Sequence, residues 1–104
     1  MIEGEEVREC LMEAGCTKVA VIMEEGDCVS LIVEVRGKRF LVAVHRGSAA
    51  YYAKVVPEEL AHTSSCSTLA YYPHGLYAFS NSLRGLCQEI VTKASRMIGW
   101  VRER

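Results

Sequence analysis

Between Cys28 and Arg46 the chain reads CVSLIVEVRGKRFLVAVHR, with Val29, Leu31, Val33 and Val35 spaced by two, then Phe40, Val42 and Val44 spaced by two. Successive side chains of a strand point to opposite faces, so this pattern buries one face of an extended ribbon and fits no helix. The two runs meet at Arg36-Gly37-Lys38, which commits them to an antiparallel hairpin and the domain to a sheet with one covered face. Taking Gly37-Lys38 as a two-residue turn pairs Val35 with Phe40, Val33 with Val42 and Leu31 with Val44. The same register sets Arg36 against Arg39 and Ser30 against His45. Like charges directly opposite one another are unfavourable unless something negative lies between them. Glu34 is close by, and an anionic ligand is the other solution.

The flanks extend this hairpin. Residues 18–24 read as a preceding strand that turns through 25–27, and residues 3–14 as a helix with Val7, Cys10, Leu11 and Ala14 on one stripe. Gly15 ends that helix, and Glu3, Glu5 and Glu6 complement its dipole at the first turn. Residues 48–62 fit either a short helix capped by Ser48 or a strand, followed by a helical start at Pro57-Glu58-Glu59-Leu60. The run 63–68 reads as loop. Residues 69–72 and 76–79 read as a second hairpin around Pro73-His74-Gly75, with Tyr71, Tyr77 and Phe79 on a shared face taken as core.

From residues 80–82 to 103 a long helix carries an apolar stripe, and Glu89 to Lys93 is a supportive i,i+4 pair. Packing on the sheet accounts for the stripe. Its 3,4-spaced subset through Ile90, Ala94, Met97 and Val101 also suits the seam of a homodimer. The expected fold class is α+β: one domain over residues 1–104, with an antiparallel sheet of about five strands flanked by an N-terminal helix and a long C-terminal helix.

With 104 residues, half of them hydrophobic, such a domain builds its core without metals or staples. No apolar run is long enough to span a bilayer, and the acidic N-terminus is unlike a signal peptide, so the expected location is cytoplasmic. The five cysteines are odd in number and lack C-x-x-C spacing, which argues against a zinc knuckle and a secreted disulfide framework. They are expected to be buried thiols; a pair such as Cys10 and Cys87 would suit a hyperthermophile, whose intracellular proteins are the exception to the reducing rule.

Catalytic constellations are weak. The chain has no phosphate-cradling Walker loop, no G-x-G-x-x-G and no G-x-S-x-G. Asp27 and Glu34 followed by Arg36 form the best metal-nuclease pattern, but an arginine cannot serve as the base such a site wants. Cys66 with His62 and His74 is the best thiolate arrangement. No enzyme, metal or cofactor is expected.

Charge is divided along the chain. Residues 1–34 hold nine acids against two bases, a net of −7, whereas residues 35–104 hold ten bases against four acids, a net of +6. Between Val35 and Pro57 there is no acid. Arg36, Lys38, Arg39, His45, Arg46 and Lys54 occur there with Tyr51 and Tyr52, and a second acid-free stretch contains Tyr72. Single-stranded nucleic acid is bound by this mixture, cations along the phosphates and ring faces beneath unpaired bases. The expectation is therefore a single-stranded DNA- or RNA-binding protein using these nine residues. The alternative class is an oligomerisation or adaptor domain in which the acidic helix of one copy meets the basic sheet of another, and a further alternative is a small metal-dependent nuclease at Asp27 and Glu34.

A short acidic helix, a strand pair turning at VEVRGKRFLVAV, a tyrosine-rich middle and a long terminal helix together resemble the ThermoDBP-type single-stranded DNA-binding proteins of thermophilic archaea and their smaller relatives. The resemblance implies a small α+β domain with a basic, aromatic-lined cleft, assembling through helices. It implies an archaeal, thermophilic source as well.

Overall fold

The computed structural model describes residues 2–102, with side chains to residue 99. Helix α1 (Gly4–Ala14) is followed by strands β1 (Lys18–Glu25), β2 (Cys28–Val35), β3 (Lys38–Arg46) and β4 (Tyr51–Pro57). A single 3-10 turn (Glu58–Leu60), the short helix α2 (Cys66–Ala70), strand β5 (Leu76–Ser80) and helix α3 (Leu83–Arg102) complete the chain. The strands form one antiparallel sheet in the order β1-β2-β3-β4-β5, so every neighbour in space is a neighbour in sequence. The domain is α+β, with its two long helices on one face.

The alternation in β2 and β3 decides which face that is. Val29, Leu31, Val33, Phe40, Val42 and Val44 are all 1% exposed or less and share one cluster with Val7 and Leu11 of α1 and Leu86 and Ile90 of α3. We call this the inner face. Ile90, Ala94 and Met97 are wholly buried in that cluster, so the stripe expected to offer a dimer seam is used inside the domain. Val101 lies outside the residues whose side chains are described.

The β2–β3 turn differs from the expected one. Arg36 (φ 53°) and Gly37 (φ 82°) both adopt left-handed conformations, the requirement of a type I′ turn, and Val35 pairs with Lys38. Hence Glu34 stands opposite Arg39, Val33 opposite Phe40 and Ser30 opposite Ala43, and Arg36 belongs to the turn. Each partner moves by two residues. An even shift leaves every side chain on its expected face, which is why the core face is as anticipated although the pairs are not. The charge conflict between Arg36 and Arg39 is thereby replaced by an opposite-charge pair.

Residues 51–57 resolve as strand, paired with β3 on one side and β5 on the other. Residues 69–72 are not a strand: they end α2 and turn toward β5. Gly75 makes this connection possible, since its φ is 100° and a Cβ there would collide with the carbonyl oxygen of Val55. Among the described residues, no helix is long and apolar enough to cross a membrane.

Candidate functional site

The outer face of the sheet is half covered and half open. Its cover is the segment 58–74, whose Cys66 and Leu69 pack on Leu41, Ala43 and Val56 in a second, smaller cluster. Cys66 is joined to Cys28 of β2 by a disulfide that closes a 38-residue separation. This corrects the expectation that Cys28 and Cys66 are thiols, and it removes Cys66 as a nucleophile. Cys10, Cys16 and Cys87 remain free between the helices and the inner face. Burial pushes the Cys16 thiol up to about 11 and that of Cys87 higher still.

Beside the cover, four rings follow one another across β3, β4 and β5. His45 stacks on Tyr52 with centroids 4.6 Å apart and planes within 3°. Tyr52 is followed by Phe79 at 6.4 Å and 29°, and Phe79 by Tyr77 at 6.3 Å and 24°. Phe79 is 66% exposed and Tyr77 43% exposed. Their place in the sequence did suggest paired aromatics, yet on the wrong face: β5 turns Ala78 inward, where α3 packs over the strand, and so turns Tyr77 and Phe79 out. The missed signal is the alternation within Leu76–Ser80, in which the small alanine marks the side of closest helix approach.

The expected cations are dispersed. Arg36 is exposed at the hairpin tip. Lys38 is bound to Glu59 at 3.0 Å, and Arg39 donates from Nε and Nη2 to the two carboxylate oxygens of Glu58 at 3.1 and 2.6 Å. The Glu58 carboxylate raises the Arg39 pKa, and Glu59 is held below the usual carboxylate range first by a backbone hydrogen bond and then by Lys38. With Glu34 facing Arg39, this end of the sheet approaches neutrality. Arg46 pairs across the ladder with Tyr51 at the opposite end of β3.

Three expected contacts are corrected. Lys54 is 3% exposed; its ammonium donates to the backbone carbonyl of Tyr72 and lies 4.3 Å from the Tyr77 ring centroid, so it is not open to a phosphate. Tyr51 points to the inner side and packs against the main core. Tyr72 is a strut of the cover, its hydroxyl donating to the Leu60 carbonyl at 2.7 Å. His45 and Tyr52 keep their expected place on the outer face, and burial lowers the His45 pKa.

Other constellations do not assemble. Asp27 lies in the β1–β2 turn and Glu34 near the far end of β2, seven residues on and so about 23 Å away at the rise of a strand. They cannot share a metal ion. His62 and His74 flank Tyr72, with ring centroids 6.3 and 5.8 Å from it. Toward β1 the outer face has an open depression of about 180 Å³ lined by Lys18, Ala20, Ile32, Glu34 and Arg39.

No family model, no curated protein and no solved structure matches this chain. None of these comparisons bears on the resemblance to the archaeal single-stranded DNA-binding proteins.

Proposed function

We propose that this protein binds single-stranded nucleic acid through the ring row His45-Tyr52-Phe79-Tyr77 on the open part of its outer sheet face. The observation that carries the reading is the exposure of Phe79 and Tyr77 in near-parallel succession with two further rings. Antiparallel sheets that display aromatics on adjacent strands offer unpaired bases a platform, each base contributing about 1–3 kcal/mol by stacking. Sequence tolerance follows, because every base has a ring face.

The cations act around this platform rather than within it. Arg36 is exposed, while Lys38 and Arg39 are held in surface ion pairs, which a polyphosphate can displace. The resemblance of the sequence layout to the archaeal single-stranded DNA-binding proteins is in keeping with this reading.

Fluorescence anisotropy with labelled single-stranded DNA, single-stranded RNA and duplex, each at several salt concentrations, tests the proposal. Binding that favours single strands and weakens with salt is expected. Equal affinity for duplex would remove stacking as its basis.

A further inference from the structure

Two buried polar side chains are out of place on the outer face. Lys54 is 3% exposed with its ammonium against the Tyr72 carbonyl, and Ser30 is fully buried with no hydrogen-bond partner for its hydroxyl among the described residues. Both occupy outward positions, which in a sheet with helices on its other face are ordinarily solvated. Lys54 is shut in by the segment 58–74, and Ser30 stands opposite Ala43 of the cluster which that segment completes.

That segment is poorly equipped to hold itself in place. Its helix has five residues, far below the length at which a helix is stable alone. Its attachments to the rest of the domain are a small apolar cluster, the Lys54 ammonium on the Tyr72 carbonyl, the Tyr77 hydroxyl on the Ala70 carbonyl, two exposed ion pairs and one covalent bond, Cys28–Cys66. At the sheet end of that bond, His45 Nε2 lies 3.4 Å from Cys28 Sγ, and the same imidazole stacks on Tyr52. The disulfide therefore joins the cover to the first ring of the row.

We propose that residues 58–74 are a cover latched by Cys28–Cys66, and that a dithiol reductant releases it, adding Lys54 to the surface that binds the ligand. The ligand half of this inference rests on the single-strand reading above. Transient lifting of the cover admits one thiolate of the reductant to Cys66 Sγ. The S–S bond breaks and its electron pair passes to Cys28 Sγ, a thiolate to which His45 Nε2–H donates. The second thiolate of the reductant then attacks the reductant's own sulfur in the mixed disulfide. Cys66 leaves as a thiolate and the reductant as its cyclic disulfide, so the protein gains the two electrons that the dithiol loses. The two protein sulfurs take their protons from water.

Acylation of lysines and alkylation of cysteines, read by mass spectrometry before and after dithiothreitol, tests this directly. In the reduced protein the labelling rate of Lys54 rises by about tenfold or more, as for a group released by local opening, while Lys18 is unchanged. Cys28 and Cys66 become alkylated, and Cys16 and Cys87, buried in the main core, stay protected. The Cys66→Ser variant gives the same Lys54 labelling without reductant. In the anisotropy assay the salt slope for a single strand steepens by about 0.7, the contribution of one added cation. Protection of Lys54 after the disulfide is shown open, or simultaneous exposure of Cys16 and Cys87, overturns the cover. An uncovered Lys54 with an unchanged salt slope overturns its part in binding. Were the oxidised protein to bind no single strand, the functional reading would fall alone, and the labelling would still decide the cover.

Discussion

Arg39 stands opposite Glu34 across the β2–β3 ladder, and its guanidinium donates to both carboxylate oxygens of Glu58. A cation that sequence composition offers to phosphate is thus already shared between two acids of its own chain. Its neighbour Lys38 is bound in the same way to Glu59.

Removing those two acids is expected to strengthen nucleic-acid binding. In the Glu58→Gln/Glu59→Gln protein, Lys38 and Arg39 are released toward solvent, and the salt slope for single-stranded DNA steepens by up to about 1.4, or about 0.7 per freed cation. Stability in urea changes little, since both pairs lie at the exposed surface. Anisotropy titrations at graded salt, with a urea melt of the same variant, check both outcomes.

Ile90 and Met97 belong to the monomer's core, so truncating them costs folding and not assembly. Ile90→Ala is expected to lower unfolding free energy by about 2–5 kcal/mol, the range for large-to-small changes in a packed interior. Sedimentation of the variant beside the unsubstituted protein is expected to return the same oligomeric state for both.

The strands were legible because a period of two leaves no other fold for Val29 to Val35 and Phe40 to Val44. Their register was less legible: it turns on Arg36, a non-glycine residue that accepts a left-handed conformation so that the turn can match the twist of the sheet. The cover was legible only at its start, where the helical beginning expected at Pro57-Glu58-Glu59-Leu60 is the 3-10 turn Glu58–Leu60. Whether 69–72 pairs as a strand or packs as a helix end depends on contacts with Leu41 and Val56, far away in sequence. The pairing of Cys28 with Cys66 is one of many that five cysteines allow. Of the site, His45 was placed on the outer face by alternation and Tyr52 was picked out by the basic and aromatic composition around it, whereas Lys54 was misread because composition cannot tell a solvated outer face from a covered one.

Gly75 carries the chain from the cover into β5 at φ 100°, against the Val55 carbonyl. Gly75→Ala meets a backbone conformation disfavoured for alanine and a steric clash together, and a loss of about 2 kcal/mol or more is expected from thermal or urea unfolding. A neutral effect would mean that the β4–β5 connection follows a different path.

Burial lowers the His45 pKa below its ordinary value of 6.5. The unfolded chain then binds a proton that the folded one resists, so the contribution of this group is complete above about pH 6.5 and declines as pH falls toward the lowered value. Urea midpoints measured from pH 7.5 down to 5 are expected to fall more steeply for the parent than for His45→Phe, which keeps a ring on Tyr52 and has no proton to bind.

The central claim is that bases stack on the exposed rings of β5. Fluorescence anisotropy of Phe79→Ala beside the parent protein, on one labelled single strand at low salt, tests it most directly. Phe79 is exposed on an outer face, so its truncation leaves the core intact, and circular dichroism verifies this. The account predicts a parent that binds and a variant weaker by about 1–3 kcal/mol, roughly five- to 150-fold, with an unchanged salt slope. Equal affinity of parent and variant, or a parent that does not bind at low salt, would contradict it.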